Sequence, residues 1–246
     1  MSGHSKWSTI KRKKGAADQK RSKIFSRIIK EISVAVRESG PDPEGNPRLR
    51  MALNNARGAN MPKENIQRAL MKAKDTEALN EITYEGYAPN GIAIFIECMT
   101  DNPQRTVASI RSIFNKRGGS LGINGSVAFM FERKGVIRIP KGGFDADELQ
   151  LEMIDAGMEE FEEDNDVFVI ATSIEGFAPV QRRLEELGIE VENAELQRVP
   201  TETKTLDAEN GVKVLKIVEL FEDDEDVQNV FHNLEITDEM IEKMEL

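Results

Sequence analysis

The sequence predicts an α+β multidomain protein: a basic helical amino-terminal domain followed by two α/β domains, one of them inserted in the other. Two observations predict it. Residues 1–75 hold 18 Lys and Arg against 7 Asp and Glu, whereas residues 76–246 hold 15 against 37, so formal charges of +11 and −22 lie on either side of one boundary. At that boundary the apolar period falls from about 3.6 residues to two, as helices give way to strands. A chain of 246 residues is long enough for more than one domain.

The head begins with a polar, basic arm, Ser2–Gly15, that has almost no apolar periodicity and is suited to folding on a partner. Asp18 is placed to cap a helix running to Ser39, where Gly40 and Pro41 stop it. On this helix Phe25, Ile28, Ile29, Ile32, Ala35 and Val36 share one arc, and Lys20, Lys23, Arg27, Lys30 and Arg37 share the opposite one. Asn46-Pro47 opens a second helix through Leu49, Ala52, Leu53 and Ala56, ended by Gly58. Pro62 opens a third, with Ile66, Ala69, Leu70 and Ala73 on one face. The last two helices have the connectivity of a helix-turn-helix, with Lys63, Asn65, Arg68 and Lys72 on the second. Short bundles share that connectivity without entering a groove.

In the body, Ile82–Tyr87 and Ile92–Met99 read as strands about a turn at Ala88–Gly91, and Thr100–Pro103 caps a helix carrying Val107, Ile110, Ile113 and Phe114. A strand is expected at Val127–Phe131. From Gly135 the order is strand Val136–Ile139, helix Asp145–Ala156, strands Glu159–Glu162 and Val167–Ala171, helix Ile174–Leu187 and strand Val191–Gln197. That β-α-β-β-α-β order is the ferredoxin-like split unit. After Pro200 a strand near Thr203–Leu206, a helix through Val212–Phe221 and a strand Val227–His232 lack a partner, except in the half-unit at 81–132. The expected domains are therefore 1–78, then 79–133 with 200–246, and the inserted 134–199.

Composition excludes several chemistries. One cysteine, Cys98, inside an apolar run, allows no disulfide within a chain and reads as a buried small hydrophobe in a reducing compartment. Two distant histidines, His4 and His232, suit neither a zinc site nor a nucleophile–base pair, so no metal, cofactor or catalytic residue is expected. The glycine-rich stretch Arg117–Ser126 follows a helix and precedes a strand, the reverse of a phosphate-cradling loop, and reads as a flexible connection. The acidic runs Glu159–Asp164 and Glu222–Asp226 read as solvated edges. No stretch is long and apolar enough for a membrane span, and the basic start does not lead into a cleavable signal. The split unit carries only Phe144, Phe161, Phe168 and Phe177, without the basic-aromatic string of an RNA-recognition motif, and is assigned to packing, dimer or protein contacts.

The cations of the head point to a polyanion. Surface helices ordinarily mix acids with bases, and this arc offers little besides Lys20, Lys23, Arg27, Lys30 and Arg37. With His4, Lys6, Trp7, Lys11, Arg12, Lys13 and Lys14 of the arm, and Lys63 and Arg68 of the third helix, they make up the expected nucleic-acid contact. Trp7 either stacks on a base or anchors the arm to the bundle.

The string Gly3–Phe25 closely resembles the opening of the YebC family. So do Asn46–Arg50, Asn60–Ile66, Tyr84–Tyr87, Asp101–Thr106, Gly118–Gly122, Gly125–Ala128 and Phe131–Gly135, and the match extends over the whole chain. The resemblance implies three domains, the first helical and the others α/β. It also implies a probable transcriptional regulatory protein that binds DNA, with a mitochondrial relative that activates translation. The expectation is a cytoplasmic, non-enzymatic, nucleic-acid-binding regulator of gene expression, acting in transcription on DNA. The alternative is a ribosome-associated translation factor that holds rRNA or mRNA. No membrane, cofactor or small-molecule substrate is expected.

Overall fold

A computed structural model describes residues 17–74, 78–164 and 166–245. They fall into two compact units, one of Ala78–Glu132 with Arg198–Leu246, the other of Ala17–Glu77 with Arg133–Gln197.

In the first unit, β1 (Asn80–Ala88) and β2 (Ile92–Thr100) form a hairpin with Glu85 opposite Phe95. The hairpin is followed by α4 (Pro103–Lys116), β3 (Ser120–Leu121), α7 (Ala208–Asp223), β8 (Val227–His232) and α8 (Asp238–Glu245). The sheet order is β3-β1-β2-β8, so the strand that lacked a partner in sequence pairs with β2, Phe95 opposite Phe231. β2 is buried along nearly its whole length, which explains why, apart from the half-buried Glu97, it is apolar on both faces and does not alternate. On one face Ile92, Ile94, Ile96 and Cys98 pack against Ile110 and Phe114 of α4 and Val214, Val218 and Phe221 of α7, with the Phe114 and Phe221 rings 4.7 Å apart. On the other, Phe95 and Phe231 meet Val127 and Phe131.

The second unit holds α1 (Ala17–Ser39), α2 (Pro47–Gly58), α3 (Lys63–Lys72), then β4 (Phe131–Pro140), α5 (Ala146–Asp155), β5 (Met158–Asp164), β6 (Val167–Thr172), α6 (Ile174–Glu186) and β7 (Asn193–Pro200). β4 begins in the first unit, and β7 ends there. Its sheet order β5-β6-β4-β7 is that of a ferredoxin-like βαββαβ unit, with Ile137, Ile139, Phe168 and Ile170 packed beneath Leu149, Met153, Phe177 and Val180 of the two helices.

Four expectations change. Asp18 lies inside α1 instead of capping it, because the helix has already started at Ala17. Val127–Phe131 is no strand: Ala128–Met130 is a turn of 3-10 helix, and the strand starts at Phe131. Thr203–Leu206 contributes only a single parallel bridge, Lys204 to Leu234. The run Glu222–Asp226 is only in part a solvated edge: Asp223 and Glu225 are exposed, but Glu222 and Asp226 are buried. The Arg105 guanidinium donates to both Asp226 oxygens at 2.9 Å and the Thr106 hydroxyl donates to one at 2.8 Å, tying the start of β8 to the start of α4. Helix α8, which had no counterpart in the sequence reading, buries Met240 and Met244 in the core of the first unit.

The cause of the second change is Glu85. Its buried carboxylate accepts from the backbone N–H groups of Gly125 and Val127, both at 2.7 Å, and of Ala128 at 2.8 Å, while its own carbonyl accepts from Gly122. Convergent N–H groups suit an anion and not a strand ladder. The stretch read as a flexible connection is thus fastened to β1 at both ends, by the β3 pairing and by this carboxylate. Burial pushes the Glu85 carboxyl up, but the three N–H donors and nearby Arg198 outweigh it and hold the group below the ordinary carboxylate range. A lowered folded-state pKa contributes stability that is complete above the unfolded-state value and vanishes as pH falls through the folded one. Glu85→Gln is therefore expected to cost about 2–3 kcal/mol at pH 7. Urea unfolding should show the difference from the parent chain closing as the pH is lowered through the acid range.

Candidate nucleic-acid interface

The head is built around Asn46. Its side-chain oxygen accepts from Leu49 N at 3.0 Å, starting α2, and its amide donates to Ala35 O and Gly40 O at 2.7 and 2.9 Å, closing the end of α1. Gly40 adopts φ +87°, the left-handed conformation that stops a helix cheaply only at glycine. Ile32, Ala35 and Val36 then pack with Leu49, Ala52, Leu53, Ala69 and Ala73. Arg48 of α2 bridges back to Glu31 and Glu38 of α1 at 3.2 and 3.0 Å, so two of the head's few acids are engaged with a cation that was never a candidate contact. Arg21 donates to Asn60 O at 3.3 Å in the turn between α2 and α3 and lies over the Phe25 ring.

Helix α2 also meets the split unit. The Asn55 side chain donates to Ala194 O and accepts from Ala194 N, both at 2.8 Å, reproducing a strand's pairing on the outer edge of β7. A Cβ on Gly58 would stand 1.9 Å from Glu192 O, so only glycine permits this approach. Met51 packs against the split unit's core. The signal for this docking was present in the sequence, as adjacent Asn54 and Asn55 in mid-helix, where asparagine has poor propensity.

Burial along α1 differs from the two-faced pattern expected. Residues 21–24 are all exposed and residues 32–36 all buried, Val34 on the expected cationic arc included. The change runs along the axis and not only around it. Lys23 and Arg37 are exposed, whereas Arg27 and Lys30 are partly buried. On α3, Lys63 and Arg68 are exposed and make no ion pair or hydrogen bond with a described residue. Arg68 and Lys72 are one turn apart on its solvent side. His4, Lys6, Trp7, Lys11, Arg12, Lys13 and Lys14 lie outside the described residues, as does the side chain of Lys20. A shallow groove lined by Arg50 and Arg57 is balanced by Glu44 and Glu185 and offers an anion little. Among the described residues no group of three or more His, Cys, Asp or Glu is placed to hold a metal ion, and no helix is long and apolar enough to cross a membrane.

These features define an α+β multidomain protein in which a helical region rich in cations precedes two α/β domains on four-stranded antiparallel sheets. The chain belongs to the TACO1/YebC family: the model of the "TACO1/YebC protein N-terminal domain" matches residues 5–76, and that of the "TACO1/YebC second and third domain" matches residues 79–234. It is 47% identical over 249 residues to a "Probable transcriptional regulatory protein" of Chlorobaculum tepidum, covering 100% of this chain and 99% of that protein. To one of the same description from Brachyspira hyodysenteriae it is 48% identical over 247 residues, covering 99% and 100%. The crystal structure of a conserved hypothetical protein from Aquifex aeolicus superposes with a TM-score of 0.82 at 42% identity, covering 90% of this chain and 93% of that one.

Because Asn55 alone supplies both partners of Ala194, Asn55→Ala is expected to cost about 1–3 kcal/mol in urea unfolding. Amide exchange at Ala194 should quicken with it. Gly58→Ala should be destabilising by a similar amount, about 1–3 kcal/mol, through overpacking against Glu192.

Proposed function

We propose that this protein is a non-enzymatic, nucleic-acid-binding regulator of gene expression, acting in the cytoplasm as a DNA-binding transcriptional regulator. The observation that carries the reading is the +11 charge of the first 75 residues against the −22 of the remainder. A polyanion is drawn to one part of the chain and repelled by the other. The regulatory names of its relatives support the same reading.

The contacting groups would be His4, Lys6, Trp7, Lys11, Arg12, Lys13 and Lys14 of the arm, Lys20, Lys23, Arg27, Lys30 and Arg37 of α1, and Lys63 and Arg68 of α3. Such cations hold phosphates and set affinity without reading bases. Sequence selection then requires either α3 in a groove or a DNA shape that suits the head.

Reversal of Lys11, Arg12, Lys13 and Lys14 to glutamate is expected to abolish binding of a labelled 20-base-pair duplex in anisotropy titrations. Thermal unfolding should hardly move. Neutralising a single phosphate-contacting cation should lower the slope of log K against log salt by about 0.9 on duplex DNA. An unchanged slope refutes direct contact. Weak, unselective duplex binding beside a salt-sensitive pool that sediments with ribosomes would reassign the head to ribosomal RNA.

A further inference from the structure

Helix α5 is apolar on two opposite sides. Leu149 and Met153 fill the core beneath it, while Leu151, across the helix from that stripe, has 67% of its surface open, and Ile154, one turn further on, has 51%. Asp147, Glu148 and Asp155, all exposed, lie three or four residues from Leu151 and frame it. The helix has no Lys or Arg, and none of these three carboxylates makes an ion pair with a described residue. Its other acid, Glu152, is engaged by Arg183 of α6 at 2.6 Å. Acids in the first turn complement a helix amino terminus, which accounts for Asp147 and Glu148 but not for the solvated leucine and isoleucine beside them. Exposed apolar side chains inside an acidic rim fit a cationic amphipathic segment. Nucleic acid is repelled by such a rim, and a two-fold pairing of the face with itself would set acids against acids.

The chain itself carries a segment of that chemistry, the amino-terminal half of α1. Ile24 has 47% of its surface open, and the partly buried Ile28 follows one turn later on the same side. Lys23, exposed, and Arg27, partly buried, are also one turn apart and run alongside that pair. Each helix thus presents two apolar residues one turn apart, with cations beside them on α1 and acids on α5. Both helices belong to one compact unit, and both faces are exposed within it, so they do not meet in a single chain. The complementary partner of the α5 face is therefore another copy.

We propose that the amino-terminal half of α1 of one copy docks on the α5 face of a second, with Ile24 and Ile28 against Leu151 and Ile154, and Lys23 and Arg27 against Asp147, Glu148 and Asp155. The proposal rests on the reading of the head as the part that grips nucleic acid, and it adds a regulation of that site: cations that would hold phosphates are occupied by a neighbouring copy until a polyanion displaces it. The contact is head-to-tail, so it propagates into chains instead of stopping at a two-fold dimer.

Sedimentation velocity of the full chain tests this, at about 0.05 and 0.5 M salt. The sedimentation coefficient should rise with protein concentration at the lower salt only. Leu151→Ser should weaken association about 10-fold and Leu151→Met should preserve it, while thermal unfolding hardly moves in either. Glu148→Lys with Asp155→Lys should leave single chains, and so should Ile24→Ser with Arg27→Gln. Mixing these two double variants should give pairs and nothing longer, because one supplies an intact α1 and the other an intact α5 face. Addition of the labelled duplex should disperse the parent assemblies. A parent chain that binds the duplex yet stays monomeric at low salt overturns the proposal and leaves the reading of the head intact; binding of a synthetic Leu-Lys amphipathic helix to that monomer, lost in Leu151→Ser, would then give the face to a different protein. Assemblies indifferent to the α5 substitutions, a mixture that does not pair, or assemblies that persist with the duplex bound also overturn it. Pairing of the mixture in a chain that binds no duplex upholds the contact and removes the reading of the head.

Discussion

A strand at the margin of a sheet leaves a row of amide and carbonyl groups unpaired, and β7 is such a strand in the split unit. Asn55 answers it with a primary amide that donates and accepts as a neighbouring strand would, at Ala194. The rest of the unit follows from that pairing. It brings α2 close enough that Gly58 touches Glu192, puts Met51 against the sheet's core, and, through Asn46 and Arg48, fixes α1 relative to α2. The same contact occupies the β7 edge at Ala194, where a strand of another chain would otherwise pair.

Much of this was legible in the sequence because it depends on local rules. Asn46-Pro47 starts a helix, Gly40 stops one, and the alternation and spacing of apolar residues locate β4, β6 and the two helices between Gly135 and Glu186. Elimination assigned the strand Val227–His232 to the half-unit at 81–132, since a strand without a partner needs one, but did not say that β2 is the strand it joins. What the sequence could not show depends on groups brought together from afar. Val127 and its neighbours have strand-forming side chains, yet a carboxylate forty residues earlier gathers their N–H groups into a turn. Asp226 has the composition of a surface acid and is buried because Arg105, 121 residues away, is there to neutralise it. Glu85 itself gives no sign in the sequence of being a structural anion, because its donors are backbone groups and carry no residue signature.

The candidate interface was legible in charge and less so in geometry. Counting cations separates the head from the body without any structure. It does not reveal that Arg48 is committed to Glu31 and Glu38, nor that Val34 on the supposed cationic arc is buried.

The gradient of burial along α1 has a mechanical meaning. The helix is about 34 Å long, and residues 32–36 are embedded while residues 21–24 are exposed. The helix is held by packing at its carboxy-terminal half and by the Arg21 hydrogen bond to Asn60 O near its start, and its stiffness between them comes from its own backbone ladder. Positive groups mounted on it keep intervals of about 5.4 Å per turn, before any target arrives. A preformed helix has already given up the backbone freedom that an unstructured tail would surrender on binding, so any partner of this face would meet charges at a fixed spacing.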